Sequence, residues 1–292
     1  MNILMLGGSG YLGTNIVKVL SNENNNIFCV IRRTSDIKYL KMFSNVKFIA
    51  NDIGQIDLTL QQEKIDWVFN GVGSYRSNSF KYEEMLESNV FFPLNILNLC
   101  VKNHIKNFMT IGTALPKNFN MYSFTKSKFA DFGEFFCDNE EINFVNLNVE
   151  MFYGGFNEPD NRFIKSCALK LIQNIDLDLT IGTQKRDIIH MEDVTHLISA
   201  LMNTNYIKGY RSLDVGSGIN HSVREIIEFM KQEMNSCSRL NYGVIQSRVG
   251  EPSTVAKIDW YKDINYQMKY SYYEGLKNEC KIIQNYYLNH LV

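Results

Sequence analysis

Residues 2–13 read Asn2-Ile3-Leu4-Met5-Leu6-Gly7-Gly8-Ser9-Gly10-Tyr11-Leu12-Gly13, and the fold class follows from this stretch. Residues 2–6 are a short apolar run closed by glycine, the pattern of a strand buried on both faces of a parallel sheet. The glycines come at once, spaced G-x-x-G-x-x-G, and residues 14–20 then carry apolar side chains at helical spacing. Strand, glycine loop and helix in that order let a backbone turn tightly and approach a pyrophosphate, and the helix N-terminus adds N–H groups and a positive dipole end. The spacing differs slightly from the commonest dinucleotide fingerprint, and glycine-rich turns also occur where nothing binds. The position directly behind a strand favours a dinucleotide, held by Gly7, Ser9, Gly10, Tyr11, Leu12 and Gly13.

The second strand, 27–31, ends in Arg32-Arg33. An acid at that point holds a ribose 2′-hydroxyl, whereas arginine accommodates a 2′-phosphate, so NADPH (NADP+) is expected rather than NADH. The competing reading makes both arginines solvated loop charges. Asp52, followed by Ile53 after the strand 46–50, is expected against the adenine, and Asp36 is a candidate helix cap.

Strands are expected near 2–6, 27–31, 46–50, 66–70, 107–111 and 143–147, and helices near 11–21, 57–63, 81–102 and 120–138. This alternation describes an α/β fold, a Rossmann doubly wound parallel sheet over 1–155 whose ligands lie beyond the carboxyl ends of the strands. Gly71 and Gly73 follow the fourth strand and Thr113 the fifth, so both ends should face the cofactor. Regular alternation fades near Pro159. Residues 156–292 read as a smaller C-terminal substrate-binding part, with some segments returning to the first domain.

Composition is that of a soluble enzyme: 292 residues, 45% hydrophobic, net charge −1. Length allows one large domain or two smaller ones. No basic block supports nucleic-acid binding, no run approaches a membrane span, and no signal peptide precedes the first strand. The six cysteines are scattered without a C-x-x-C and read as buried thiols of a cytoplasmic protein. The five histidines show no metal-ligand spacing, so no metal is expected.

The chemistry centres on Tyr122-Ser123-Phe124-Thr125-Lys126. Four-residue spacing on a helix puts Tyr122 and Lys126 on one face. A tyrosine with an ordinary pKa of about 10 is a sound acid at neutral pH, and a neighbouring ammonium lowers that value. Tyr122 can then give a proton to a developing alkoxide, while Thr113 donates a hydrogen bond to the same oxygen. A chance Tyr-x-x-x-Lys would be an amphipathic surface pair. The glycine loop, the hydroxyl residue nine positions earlier and the alternating fold argue against chance.

With those residues in hand, the chain resembles the extended short-chain dehydrogenase/reductases (the NAD-dependent epimerase/dehydratase family) that act on nucleotide-activated sugars. The resemblance spans nearly the whole length and rests on Gly7/Gly10/Gly13, Asp52-Ile53, Asn70-Gly71-Val72-Gly73, Asn89, Ile111-Gly112-Thr113, Tyr122/Lys126, Tyr153-Gly154 and Arg186-Asp187. It implies Thr113, Tyr122 and Lys126 as the catalytic set, with Lys126 also on the nicotinamide ribose. It implies Arg186, and less directly Arg248, on a substrate diphosphate, which suits charge-assisted pairing. The plainer readings are an ion pair of Arg186 with Asp187 or Asp193, and a loop charge at Arg248. By analogy, helices 81–102 and 120–138 would form the interface of a homodimer.

Departures from the family pattern narrow the activity. Dehydratases that resemble this fold carry Asp-Glu after the catalytic threonine; here Ala114-Leu115 cannot do acid–base work. Epimerases retain NAD and carry an acid after the second strand, where this chain has Arg32. Gly112–Pro116, Met121–Asp131, Phe152-Tyr153-Gly154 and Leu179–Asp187 resemble nucleotide-sugar 4-ketoreductases of deoxysugar and O-antigen (lipopolysaccharide) biosynthesis, of the CDP-paratose/CDP-abequose synthase and dTDP-4-keto-6-deoxyglucose reductase kinds. The resemblance implies a nucleotide-sugar substrate, CDP- or dTDP-linked. A nucleotide-sugar epimerase and a non-catalytic NADP-binding regulator are the alternatives. Ser222–Glu225 reads as a capping box, and His190 as a core or loop histidine.

Overall fold

The computed structural model describes residues 1–75, 82–247 and 250–290. Its elements, in chain order, begin with β1 Asn2–Leu6, α1 Tyr11–Asn22, β2 Asn26–Ile31, β3 Val46–Ala50, α2 Ile53–Gln62 and β4 Trp67–Asn70. There follow α3 Tyr82–Leu86, a π-turn Glu87–Phe91, α4 Phe92–Lys102, β5 Asn107–Ile111, α5 Met121–Asn139 and β6 Asn143–Val149. The remainder comprises β7 Met151–Tyr153, α6 Phe163–Ile172, β8 Leu177–Leu179, β9 Lys185–His190, α7 Met191–Met202, β10 Tyr210–Val215, β11 Asn220–Ser222, α8 Val223–Glu233, β12 Leu240–Tyr242 and α9 Tyr272–His290.

The chain divides into two compact units. The first comprises Met1–Val149, Thr195–Asp214 and Tyr261–Tyr266; the second comprises Glu150–Val194, Val215–Trp260 and Gln267–Val292. A seven-stranded sheet in the order β10-β6-β5-β4-β1-β2-β3 forms the frame of the first unit, with parallel pairing from β6 through to β3. This is the expected doubly wound Rossmann sheet. Its strand order reverses between β1 and β4, the point where such sheets open a crevice beyond their carboxyl ends.

Ile3, Leu4, Met5 and Leu6 are wholly buried, as a central parallel strand requires. The faces of Phe108 and Phe144 stack with centroids 5.3 Å apart, and Phe129 of α5 meets both edge-on. Gly133 lets α5 lie close on this cluster, since a Cβ there would strike the Phe144 ring. The second unit packs Tyr153, Ile164, Leu171, Ile188, Ile226, Met230 and Leu276 around small sheets ordered β11-β9-β7 and β12-β8. Ser222 and Glu225 cap α8 reciprocally, as the sequence pattern indicates.

Three local expectations are revised. Helix α2 begins at Ile53 rather than 57, because Asp52 caps it by accepting the Gln55 N–H at 3.0 Å. Asp36 caps no helix; it accepts the Lys38 N–H at 2.9 Å in a turn. The helix expected near 81–102 is present over 82–102 but is widened at Glu87–Phe91 by the π-turn, and residue 81 lies outside the described residues. Pro93 is the physical reason: a proline has no N–H for the carbonyl four residues back, and its ring crowds that carbonyl. That carbonyl belongs to Asn89, inside the wide turn.

Candidate active site

The glycine loop of the first unit is built by close approach. Gly7 adopts φ +77°, and a Cβ there would lie 2.8 Å from the Gly71 carbonyl carbon. A Cβ on Gly8 would lie 2.5 Å from Cys29 Sγ, and one on Gly13 would lie 2.7 Å from Gly8 Cα. Gly10 differs: its nearest neighbour would be Gly7 O at an ordinary 3.4 Å, and the residue is exposed. Its lack of a side chain therefore answers no protein contact and leaves backbone open outward. Gly10 caps α1 without a side-chain bond, and the first turn of α1 holds no acid. These features fit a dinucleotide pyrophosphate. Ser9, Tyr11 and Leu12 complete the loop.

Arg32 and Arg33 are exposed directly after β2. The Arg32 N–H donates to Ser35 Oγ at 3.0 Å, and neither guanidinium has a partner among the described residues. Asp52 and Ile53 are exposed at the start of α2, with Asp52 engaged as its cap. Gly71 N–H donates to Leu6 O at 2.9 Å, tying the end of β4 to the end of β1.

Lys126 and Tyr122 lie on α5, whose start is fixed by a capping box between Asn120 and Ser123. Lys126 is buried, and its ammonium donates to Val72 O at 2.8 Å and Ile111 O at 2.9 Å. Those carbonyls belong to the loop after β4 and to the end of β5, so one side chain joins two strand ends. Its third N–H has no partner among the described residues, and burial pulls the ammonium down to about 8. Gly73 makes room, since a Cβ there would lie 3.1 Å from Lys126 Nζ. The Tyr75 ring meets the Tyr122 ring edge-on at 4.9 Å. Thr113 Oγ1 accepts the Leu115 N–H at 3.3 Å, which leaves its own proton to donate.

Asn89 ties these parts together. Its Oδ1 accepts the Ser74 N–H at 2.8 Å, and its Nδ2 donates to Ser74 O at 3.2 Å and Thr125 Oγ1 at 3.0 Å. The loop after β4 is thus held to α5 one residue from Lys126.

In the second unit Arg186 sits on β9. Its Nη1 donates to Lys185 O at 2.7 Å and Pro252 O at 2.8 Å, and its Nη2 pairs with Glu251. The ion pair of the plainer reading, with Asp187 or Asp193, is not formed. Asp187 instead accepts Ser217 N–H, Ser217 Oγ–H, Gly218 N–H and Ala256 N–H at 2.6–3.1 Å. Burial pushes the Asp187 carboxyl up, and those four bonds oppose it. Asp193 takes the Lys269 N–H at 2.6 Å. Arg248 lies outside the described residues.

His190 is buried, its Nε2 3.7 Å from Glu279 Oε2, with neither atom hydrogen-bonded. Gly154, at φ +74°, passes between them: a Cβ there would lie 2.6 Å from Glu279 Oε2 and 2.7 Å from His190 Nε2. Glu158 accepts the Gly154 N–H at 3.1 Å, and burial pushes its carboxyl up to about 7. Among the described residues no group of three His, Cys, Asp or Glu is placed to hold a metal ion, and no helix is long and apolar enough to cross a membrane.

The model of the NAD dependent epimerase/dehydratase family matches residues 3–216, which takes in the glycine loop, Thr113, Tyr122, Lys126 and Arg186. This chain belongs to that family. Within the family, the CDP-abequose synthase of Salmonella muenchen is 24% identical over 286 residues, covering 94% of this chain and 95% of that protein. The CDP-abequose synthase of Yersinia pseudotuberculosis is 22% identical, covering 80% and 84%. Among solved structures, the UDP-glucose 4-epimerase of Thermotoga maritima with UDP-glucose superposes with TM-score 0.84 at 17% identity, covering all of both chains. The UDP-glucuronic acid 4-epimerase of Bacillus cereus, in complex with UDP-glucuronic acid and NAD, gives 0.84 at 22% identity, covering 98% of this chain and all of that one. These likenesses establish the fold.

For this family member, sequence reading passed over Gly8, Glu251 and Tyr75. Gly8 stood inside the quoted loop. Glu251 and Tyr75 had no local signal, because their partners lie far along the chain.

Proposed function

We propose that this protein is an NADPH-dependent oxidoreductase that reduces the C4 ketone of a CDP- or dTDP-linked 4-keto-6-deoxyhexose or 4-keto-3,6-dideoxyhexose. The observation that carries the reading is the set Thr113, Tyr122 and Lys126 with Ala114-Leu115 directly after Thr113, a proton-delivering site with no acid there for elimination. The names of the curated relatives support a CDP-linked sugar.

NADPH, when bound, supplies the hydride. Gly7, Ser9, Gly10, Tyr11, Leu12 and Gly13 hold its pyrophosphate, and Gly71 lies beside them. Arg32 and Arg33 take the 2′-phosphate, and Asp52 and Ile53 border the adenine. Tyr122 gives its hydroxyl proton to the C4 oxygen, and Thr113 donates a second hydrogen bond to the same atom. Lys126 keeps positive charge beside the phenol, which favours loss of that proton. In the second unit Arg186 takes the substrate diphosphate, with Arg248 as a further candidate. A homodimer through the helices around α4 and α5 is part of the proposal; exposed Phe91, Phe124, Phe132 and Phe135 support it, and equilibrium sedimentation tests it.

The test is NADPH consumption by purified protein with CDP-4-keto-3,6-dideoxyglucose and, separately, dTDP-4-keto-6-deoxyglucose, with product stereochemistry read by NMR. Preferential turnover of one substrate supports the reductase and names the nucleotide. Tight retention of NAD with no net oxidation would favour the second reading, an epimerase, to which the NAD-bound structural neighbour lends support.

A further inference from the structure

In the second unit the segment 251–256 is fastened along β9. Lys185 N–H donates to Ser253 Oγ at 3.1 Å, Arg186 holds Pro252 O and Glu251, and Ala256 N–H reaches Asp187 Oδ2 at 3.1 Å. Thr254 adds a bond to Glu150 Oε2 at 2.7 Å. Within the segment itself, four of these five contacts are made by backbone groups or by hydroxyls. The fifth, Arg186 with Glu251, is an ion pair whose side chains are only 15% and 19% exposed.

A guanidinium has five N–H donors. In Arg186 both Nη1 hydrogens are taken by carbonyls and one Nη2 hydrogen by Glu251, so Nε–H and one Nη2–H have no partner among the described residues. Two carbonyls therefore fix where the guanidinium sits, whether or not Glu251 carries charge. The Glu251 carboxylate does something else: it neutralises the arginine. A diphosphate arriving at the free donors meets a neutral pair and a like charge beside it, rather than a lone cation.

We propose that Glu251 is a built-in competing anion, which neutralises Arg186 in the free protein and weakens its grip on the substrate diphosphate. This rests on the reading above that Arg186 takes that diphosphate. Glu251 acts through Arg186 and is a positioning residue, setting how readily a nucleoside diphosphate leaves.

The experiment is calorimetric titration of CDP and of dTDP into the purified full chain, as wild type, Glu251→Gln, Glu251→Asp, Arg186→Ala and the Arg186→Ala/Glu251→Gln double variant. Glutamine keeps an acceptor for Nη2 and removes the charge. Glu251→Gln should bind about fivefold more tightly, and Glu251→Asp, whose charge is drawn back, should gain less. Arg186→Ala should bind about tenfold more weakly, and adding Glu251→Gln to it should change nothing beyond about twofold. In turnover, Glu251→Gln should lower KM for the sugar nucleotide without raising kcat. Equal or weaker binding by Glu251→Gln, with Arg186→Ala still impaired, overturns the inference and leaves the diphosphate reading standing. A gain that persists in the double variant also overturns it, because the effect would not pass through Arg186. Wild-type binding by Arg186→Ala overturns the diphosphate reading and the inference together.

Discussion

Lys126 places a buried ammonium where the fold is less stable for having it, and pH exposes that conflict. Burial moves its pKa from 10.5 to about 8. At 1.36 kcal/mol for each tenfold, this corresponds to about 3 kcal/mol of folding stability withheld while the charge is kept. Between pH 8 and 10.5 the unfolded chain binds this proton and the folded chain does not. Stability from this group therefore rises with pH across that window. Other groups titrate there too, so the comparison is with Lys126→Met, which carries all of them except this one. Denaturant unfolding at pH 7, 8, 9 and 10 should show wild type gaining about 3 kcal/mol on the variant. Activity should move the other way. On the role proposed for Lys126 in activating Tyr122, the kcat/KM of the wild type should fall above pH 8 as that charge is lost. Parallel stability curves for the two proteins, or a kcat/KM flat to pH 10, would refute the reasoning.

Tyr122→Phe should reduce turnover by about 10²-fold or more while NADPH binds as before, since only the proton donor is removed; near-normal turnover would sink that assignment. Arg32→Ala should weaken NADPH more than NADH by about tenfold in a fluorescence titration, and equal losses would refute a 2′-phosphate role. Glu158→Gln should stabilise the fold at pH 8. Its carboxyl is held up at about 7 against an ordinary 4.5, so wild-type stability from this group falls as pH rises from 4.5 to 7, by about 3 kcal/mol at most. Glutamine still accepts the Gly154 N–H, so the variant should show a flatter profile; an unchanged slope in that window would contradict it.

Much of the frame was legible from sequence because its signals are local. β1, β3 and β5 run over the expected residues, each an apolar run between polar or glycine punctuation. The Tyr122 and Lys126 pair lies on one helix, where spacing alone sets the face. Asp52 shows a local signal that went unread: Asp52-x-x-Gln55 is a capping pattern, and without it the expected helix start fell four residues late. The illegible parts are long-range. Glu251 meets Arg186 across 65 positions, and Asn89 meets Thr125 across 36. No periodicity reports such pairs, because packing of the whole unit brings them together.

The wide turn at Glu87–Phe91 carries a consequence for length variants of this chain. Each residue of an α-helix advances the side chains by about 100°, whereas a π-turn winds more slowly and holds one extra residue. Deleting one residue between Asn89 and Pro93 would let the turn tighten to ordinary winding with the flanking faces kept. Asn89 would still face α5 and Ser74 while α4 kept Ile96, Leu97 and Cys100 in the core. The same deletion inside α4 would turn every later side chain by about 100°. The turn is therefore a phase adjuster between a polar clamp and an apolar anchor. Deleting the exposed Phe91, with Pro93→Ala to relieve the crowded carbonyl, should be tolerated far better than deleting one residue within α4.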